Sequence, residues 1–176
     1  VTEDTPTRPM SLYGISKNAL RQALGVLVNG KDVTYQWLRG YYICGDDIHG
    51  NSIFAKILQK AAAGEKKFPF TSGKNEYDFI SLSDLALEIA LTALQKDVDG
   101  VINCCSGLPV SLKDRVLAFI REKNLDIELE YGVFPDRPYD SPQIYGDSTK
   151  IREIVQNAVG KYSVKADEKI AALDQM

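Results

Sequence analysis

Pro9-Met10-Ser11-Leu12-Tyr13-Gly14-Ile15-Ser16-Lys17 is the stretch on which the reading of this chain turns. Ser11 suits a helix N-cap, because its hydroxyl can accept a hydrogen bond from an unpaired amide of the first turn. Leu12, Ile15, Ala19, Ala23 and Leu27 return at spacings of three and four, so a helix with one apolar stripe is expected from Ser11 to about Val28. Asn29-Gly30 ends it. In such a helix Tyr13 and Lys17 share a face, one turn apart. A free tyrosine titrates at about 10, too high for rapid proton transfer at neutral pH. A neighbouring ammonium favours the phenolate, and the pair can then act as general acid or base toward a hydroxyl or a ketone. Of the nine tyrosines, only Tyr13 has a lysine four residues on. Spacing alone leaves two readings open: this device, or a solvated pair on a helix surface.

Working outward, Val33 to Tyr42 reads as one strand, rich in β-branched and aromatic residues, running into a loop at Gly45-Asp46-Asp47. Ile53 to Ala63 reads as a second helix closed by Gly64, and Lys67 to Ile80 as short extended pieces. Ser83 is expected to cap a third helix to about Lys96, with Leu85, Ala86, Ile89, Ala90, Ala93 and Leu94 as its buried face and Asp84 supporting its N-terminus. Val101 to Cys104 is a compact apolar strand. Ser111 with Asp114 resembles a capping box for a fourth helix to Lys123, followed by a strand from Ile127 to Tyr131. Phe134 to Gly146, with three prolines, reads as a loop; a helix from Thr149 to Val159 and a polar tail beyond Gly160, frayed or weakly helical, complete the chain. Alternation of this kind predicts an α/β domain with a mainly parallel sheet.

Composition narrows the function classes. Of the 176 residues 44% are hydrophobic and 26% charged, an ordinary globular balance, and the net charge of -3 points away from nucleic acid. An anionic ligand would have to be held by a few placed cations. No apolar run is long enough to span a bilayer, and the polar, Pro-rich start does not read as a signal peptide. Three cysteines, two of them adjacent, do not make a disulfide framework; reduced thiols and a cytoplasmic location are the expectation. A single histidine without ligand-like spacing gives no expectation of a metal site.

The opening stretch resembles the Pro-x-Ser-x-Tyr-Gly-x-Ser-Lys signature of the extended short-chain dehydrogenase/reductase family, the NAD-dependent epimerases and dehydratases that remodel nucleotide sugars. Further segments match it in order. Leu38-Arg39 with Tyr41, Tyr42, Ile43 and Gly45 resembles Leu-Arg-Pro-x-Asn-Val-Tyr-Gly. Tyr77-Asp78-Phe79-Ile80-Ser81-Leu82-Ser83-Asp84-Leu85-Ala86 resembles Arg-Asp-Phe-Ile-x-Val-x-Asp-Leu-Ala. Gly100-Val101-Ile102-Asn103 with Ser106-Gly107, Arg137-Pro138-Tyr139-Asp140, and Gly146-Asp147 to Lys150 follow. The family's glycine-rich dinucleotide fingerprint does not occur here, so the expected fold is part of a Rossmann-like doubly wound sheet plus a smaller α/β substrate-binding region, with the N-terminal dinucleotide-binding half absent. By that resemblance residues 1–50 belong to the Rossmann-like domain and 51–160 mainly to the substrate region, with strands returning to the main sheet, and 161–176 form a tail.

The resemblance implies roles. Tyr13 would be the acid/base; Lys17 would hold the nicotinamide ribose; Gly40, Tyr41 and Ile43 would lie against the cofactor, NAD or NADP. Tyr42, Asn51, Lys74, Arg137 and Asp140 would face a nucleoside-diphosphate sugar, with Arg137 clamping its pyrophosphate and Asp140 its ribose. From the residues alone Arg137 reads equally as a surface charge in a Pro-rich loop. The catalytic Ser or Thr would lie upstream, since Thr5 and Thr7 are too close to Tyr13. Four departures stand out: Tyr42 replaces the family's Asn, Gly40 its Pro, Tyr77 the Arg before Asp-Phe, and Cys44 the Tyr before Gly. Lys74 stands near enough in sequence to substitute for that arginine or simply to be solvated. Cys44, where the family has Tyr, reads as a packed residue.

The expected activity is an NAD(P)-dependent oxidoreductase on a nucleoside-diphosphate sugar, with a lean toward 4-keto-6-deoxysugar reduction. Epimerase, dehydratase and a non-catalytic nucleotide-sugar-binding relative are the alternatives. The resemblance further implies a homodimer at full length, formed through the Ser11–Val28 helix, and an isolated fragment without turnover.

Overall fold

The computed structural model describes residues 1–45, 47–136 and 141–173, with side chains as far as Lys161. Among these are five helices, α1 (Leu12–Val28), α2 (Ile53–Ala62), α3 (Leu82–Ala93), α4 (Leu112–Glu122) and α5 (Thr149–Leu173). The strands are β1 (Gln36–Gly40), β2 (Tyr42–Cys44), β3 (Lys67–Pro69), β4 (Glu76–Ser81), β5 (Gly100–Cys104), β6 (Pro109–Ser111), β7 (Glu128–Glu130) and β8 (Gln143–Ile144). Pairing is parallel for β1 with β5, β2 with β4, β3 with β7 and β4 with β8, and antiparallel only for β4 with β6 among the described pairs. The α/β arrangement with a mainly parallel sheet is therefore present. None of the described helices is long and apolar enough to cross a membrane.

The chain divides into two compact units. Unit 1 joins Val1–Gly40, Ala86–Cys104 and the segment from Asp147 onward. Its β1–β5 pair runs in register from Gln36 opposite Gly100 to Gly40 opposite Cys104. α5 docks through the buried Ile151 and Ile154, one turn's spacing apart, and Lys150 Nζ donates to the carbonyls of Asp99 and Val101 at the start of β5. Ser11 caps α1 as expected, accepting from the Gly14 amide at 3.1 Å.

Unit 2 comprises Tyr41–Leu85 and Cys105–Gly146. Its core is aromatic and aliphatic: Phe54 and Ile57 of α2 and Val116, Phe119 and Ile120 of α4 pack with Phe68, Phe70 and Ile127. Phe54 meets Phe119 edge-on with ring centroids 5.0 Å apart, a favoured aromatic geometry. Gly73 has φ +69°, and a Cβ there would lie 2.6 Å from the Phe70 ring and 2.8 Å from Lys113 Cβ, so both conformation and space require glycine. The capping box of α4 forms as read: the Asp114 amide donates to Ser111 Oγ at 3.0 Å and that hydroxyl to the Asp114 carboxylate at 2.7 Å.

Several expectations are corrected. The Val33–Tyr42 strand is two strands, because β1 pairs with β5 whereas β2 pairs with β4. α3 is capped by Ser81 rather than Ser83: the Asp84 amide donates to Ser81 Oγ at 3.0 Å, with Asp84 supporting the N-terminus as read. Of the face assigned as buried on α3, only Leu85 is; Ala86, Ile89, Ala90, Ala93 and Leu94 are exposed, and the helix seats Thr92 inward instead. The apolar stripe of α1 is likewise bare, and that helix has no buried residue. The Phe134–Gly146 segment contains β8; α5 continues to Leu173, the helical one of the two readings of the tail.

Candidate functional site

In unit 1, Tyr13 and Lys17 sit on the first two turns of α1, and Tyr13 is 75% exposed. Lys17 lines a cleft of about 410 Å³ with Gly14, Asn18, Arg8, Arg21 and Arg39 among its neighbours. Four cations and no carboxylate line it among the described residues. Two of the guanidiniums are held in place: Arg21 donates to Asn18 Oδ1 at 3.2 and 3.1 Å, and Arg39 to the carbonyls of Glu3 and Thr2 at 3.2 and 3.4 Å. A Cβ on Gly14 would stand 3.0 Å from Pro9 Cβ and 3.2 Å from Ser11 Oγ, so glycine lets the chain preceding the helix fold closely over its first turn. Gly40 ends β1 opposite Cys104.

In unit 2 a larger cleft of about 880 Å³ gathers Tyr42, Ile43 and Asn51 of the sequence-predicted residues. Tyr77 and Phe79 alternate on β4 and so share a face; parallel pairing sets Tyr42 opposite Phe79. The Tyr42 ring lies over Tyr77 with centroids 4.2 Å apart and a 39° tilt, and meets Phe79 edge-on at 6.0 Å. Phe70 and Phe134 also line the cleft, whose described charged lining residues are Lys56 and Asp136. The Ser72 hydroxyl and amide hydrogen-bond Asp136 and hold its carboxyl below the usual range. Lys74 does not line the cleft; it is exposed, and its amide donates to Ser72 Oγ at 3.3 Å. Tyr41 packs its ring against Gly146, where a Cβ would come within 2.7 Å of Tyr41 Cζ. Arg137 and Asp140 lie outside the described residues. Cys44 is packed, as expected: burial pushes its thiol up, partly opposed by a hydrogen bond from Arg115.

The sequence reading missed a buried clamp. Asp78, fully buried between Tyr77 and Phe79 in sequence, accepts from Ser106, Gly107 and Gly146, and so ties β4 to the loop after β5 and to the residue after Tyr145. Period-two alternation on β4 hints that Asp78 faces away from the two aromatic rings, but nothing local announces its three partners.

The model of the NAD dependent epimerase/dehydratase family matches residues 1–105. The chain belongs to that family. Among curated relatives, a dTDP-6-deoxy-L-talose 4-dehydrogenase (NAD(+)) of Aggregatibacter actinomycetemcomitans is 44% identical over 147 residues, covering 83% of this chain and 54% of that one. A UDP-glucose 4-epimerase of Lactobacillus helveticus is 25% identical over 174 residues, covering 88% and 52%. The crystal structure of a UDP-glucose 4-epimerase of Thermotoga maritima with UDP-glucose superposes with a TM-score of 0.72 at 24% identity, over 87% of this chain and 50% of that one; this shows a shared fold. The chain spans about half the length of these epimerase/dehydratase family members. The 44% identical relative is named for oxidation at C4, the opposite direction from the reduction expected from sequence.

Proposed function

We propose that the protein containing this chain is an NAD-dependent oxidoreductase that interconverts the C4 hydroxyl and C4 ketone of a nucleoside-diphosphate 6-deoxyhexose. The observation that carries this is the 44% identity to a dTDP-6-deoxy-L-talose 4-dehydrogenase. The oxidation named there is the reverse of 4-keto reduction, and one set of residues serves both directions.

Tyr13 is the proton carrier in this reading: as the phenolate it takes the proton of the C4 hydroxyl on oxidation, and as the hydroxyl it returns that proton on reduction. Lys17, one turn on, holds a cofactor ribose and keeps positive charge beside the phenolate. The cleft that Lys17 lines, with its cations and no described carboxylate, suits a phosphate-bearing, hydroxyl-rich group such as NAD. NAD supplies the two-electron chemistry when bound. In this reading the aromatic cleft of unit 2 receives the nucleotide sugar beside Tyr42 and Asn51, and Arg137 and Asp140 are the proposed ligands of its diphosphate and ribose. At full length the protein is a dimer.

The test is to incubate the full-length protein with a dTDP-6-deoxyhexose and NAD and follow reduced nicotinamide. Sugar-dependent formation of reduced cofactor, with a 4-keto sugar as product, is expected. A second reading, 4-epimerization, is favoured by the Lactobacillus helveticus relative's name; inversion at C4 with no net reduced cofactor would establish it and overturn the first.

A further inference from the structure

We propose that Arg21 and Arg39 are the ligands of a phosphate group in the cleft of unit 1. The assignment stands on geometry and charge; only the source of the phosphate, the cofactor or a separate ligand, rests on the oxidoreductase reading above. Two regular elements build the cleft. On α1, Gly14, Lys17, Asn18 and Arg21 return at spacings of three and four and share one face. On β1, Trp37 and Arg39 stand two residues apart and also share a face. Arg8 joins them from the segment before the helix.

Each of the two guanidiniums is fixed by one edge. Asn18 Oδ1 accepts from Arg21 Nε and Nη2 at 3.2 and 3.1 Å, and is itself held by the Thr7 hydroxyl at 2.9 Å. Arg39 Nη1 donates to the carbonyls of Glu3 and Thr2. Arg21 Nη1 and Arg39 Nε and Nη2 keep donors that no acceptor among the described residues takes up. Both residues are half-buried, so these donors are presented to the cleft by side chains already held in one geometry.

The charge of the cleft is unbalanced. Lys17 and Arg21 repel each other at i, i+4, and Arg8 and Arg39 add to them. None of the four is in an ion pair among the described residues. The pairs Lys60–Glu65, Lys66–Asp126, Lys67–Glu130 and Arg115–Glu122 all lie in unit 2. The chain has 24 acidic residues against 21 basic ones, so this convergence of cations is no by-product of a basic composition. A phosphate answers it with more than one negative charge and with oxygens spaced for the guanidinium fork. The cleft, about 410 Å³, has room for the molecule that carries the phosphate, since small-molecule sites run from about 300 to 1,000 Å³.

The experiment follows binding of inorganic pyrophosphate by calorimetry to the full-length protein saturated with dTDP, which keeps the nucleotide-sugar site occupied. Pyrophosphate is expected to bind, more weakly as salt rises. Arg21→Gln and Arg39→Gln are each expected to weaken it by about 10- to 100-fold. Arg121→Gln, at an exposed position on α4, is expected to leave it unchanged. Arg21→Lys keeps the charge without the fork and is expected to recover only part of the loss; it carries the test, with Arg39→Gln, if Arg21→Gln proves unfolded by circular dichroism. Displacement of pyrophosphate by NAD identifies the cofactor as the source, and simultaneous binding of both identifies a separate phosphate ligand; either result upholds the two arginines. No pyrophosphate binding, binding that the variants leave untouched, or full recovery by Arg21→Lys overturns the assignment. Oxidation of a dTDP-6-deoxyhexose by a protein without the pyrophosphate site removes the assignment and leaves the oxidoreductase reading standing; the converse result removes that reading alone.

Discussion

Asp78 Oδ1 accepts two hydrogen bonds from Ser106, from the amide at 2.8 Å and from the hydroxyl at 2.7 Å. Its other oxygen accepts from the amides of Gly107 at 2.9 Å and Gly146 at 3.1 Å. One buried carboxylate thus satisfies three main-chain donors on two segments far apart in sequence. It sits between the two β4 residues whose rings line the cleft.

Asp78→Asn keeps the volume but turns an amide N–H₂ toward groups that themselves donate. Each buried donor left without an acceptor costs about 1–3 kcal/mol, so a loss of about 3 kcal/mol is expected for the full-length protein. The measurement is the urea midpoint, with the exposed Asp97→Asn as comparison. Equal midpoints for the two variants would show that water replaces the clamp at no cost.

Gly146 stands where a side chain has no room. A Cβ would come within 2.5 Å of Cys105 Sγ as well as 2.7 Å of Tyr41 Cζ. Gly146→Ala is expected to destabilise by about 1–3 kcal/mol, as overpacking generally does. Adding Cys105→Ala should recover part of the loss, because it removes the nearer obstacle. A strictly additive double variant in thermal or chemical unfolding would rule out the steric account.

Tyr13→Phe removes a hydroxyl that is exposed and distant from any core, so the fold is expected to survive intact. Turnover at full length is expected to fall by about 100- to 10,000-fold, the usual contribution of a positioned acid or base. Nucleotide-sugar affinity, read by calorimetry, is expected to stay within about twofold, since no apolar surface or charge is lost. Turnover comparable to wild type would remove Tyr13 from the proposed mechanism.

Cys104 gives a pH dependence with a definite sign. Burial, seconded by the carboxylate of Glu88, pushes its thiol from 9.0 up to about 12. The folded state therefore keeps its proton where the unfolded chain gives it up. Stability from this source is intact below pH 9 and falls as pH rises from there toward 12. The slope approaches about 1.4 kcal/mol per pH unit within that window. Cys104→Ala should flatten the alkaline limb of the stability curve relative to wild type, whatever its effect at neutral pH. Parallel limbs for the two proteins would mean that another group governs the alkaline loss.

Local chemistry was legible in the sequence. The Ser11 cap and the Ser111–Asp114 box depend on atoms three residues apart, and both form as read. What depends on distant partners was not. The break at Tyr41 has no local signal, because it arises from β1 and β2 pairing with different strands. β8 was hidden among prolines because two residues carry no periodicity; only its pairing with Glu76 and Tyr77 reveals it. On α3 small and apolar residues occupy most of the circumference, so the inward direction, set by Leu85 and Thr92, could not be told from the stripe through Ile89. The motif Tyr13–Lys17 and the departures at Tyr42 and Tyr77 were plain from sequence, whereas the contact between those two rings follows from strand register.

The way unit 1 is stitched together bears on the order in which the chain acquires structure during synthesis. β1 ends at Gly40, and its partner begins at Gly100. Asn103 of β5 donates to the carbonyls of both Val1 and Asp147, the residues that open the first and the last of the segments of unit 1. Closing loops this long precedes any gain from the contacts they bring, which makes parallel, non-local pairing slow. A nascent chain delivers Gly146, the last residue of unit 2, before the α5 segment that unit 1 needs. The amides of β4 and α4 should therefore gain protection from exchange ahead of those of β1 and β5, and pulse-labelled hydrogen exchange on stalled chains can read that sequence of events. The helix bearing Tyr13, translated ahead of all of unit 2, would then be among the last to be held in a finished unit.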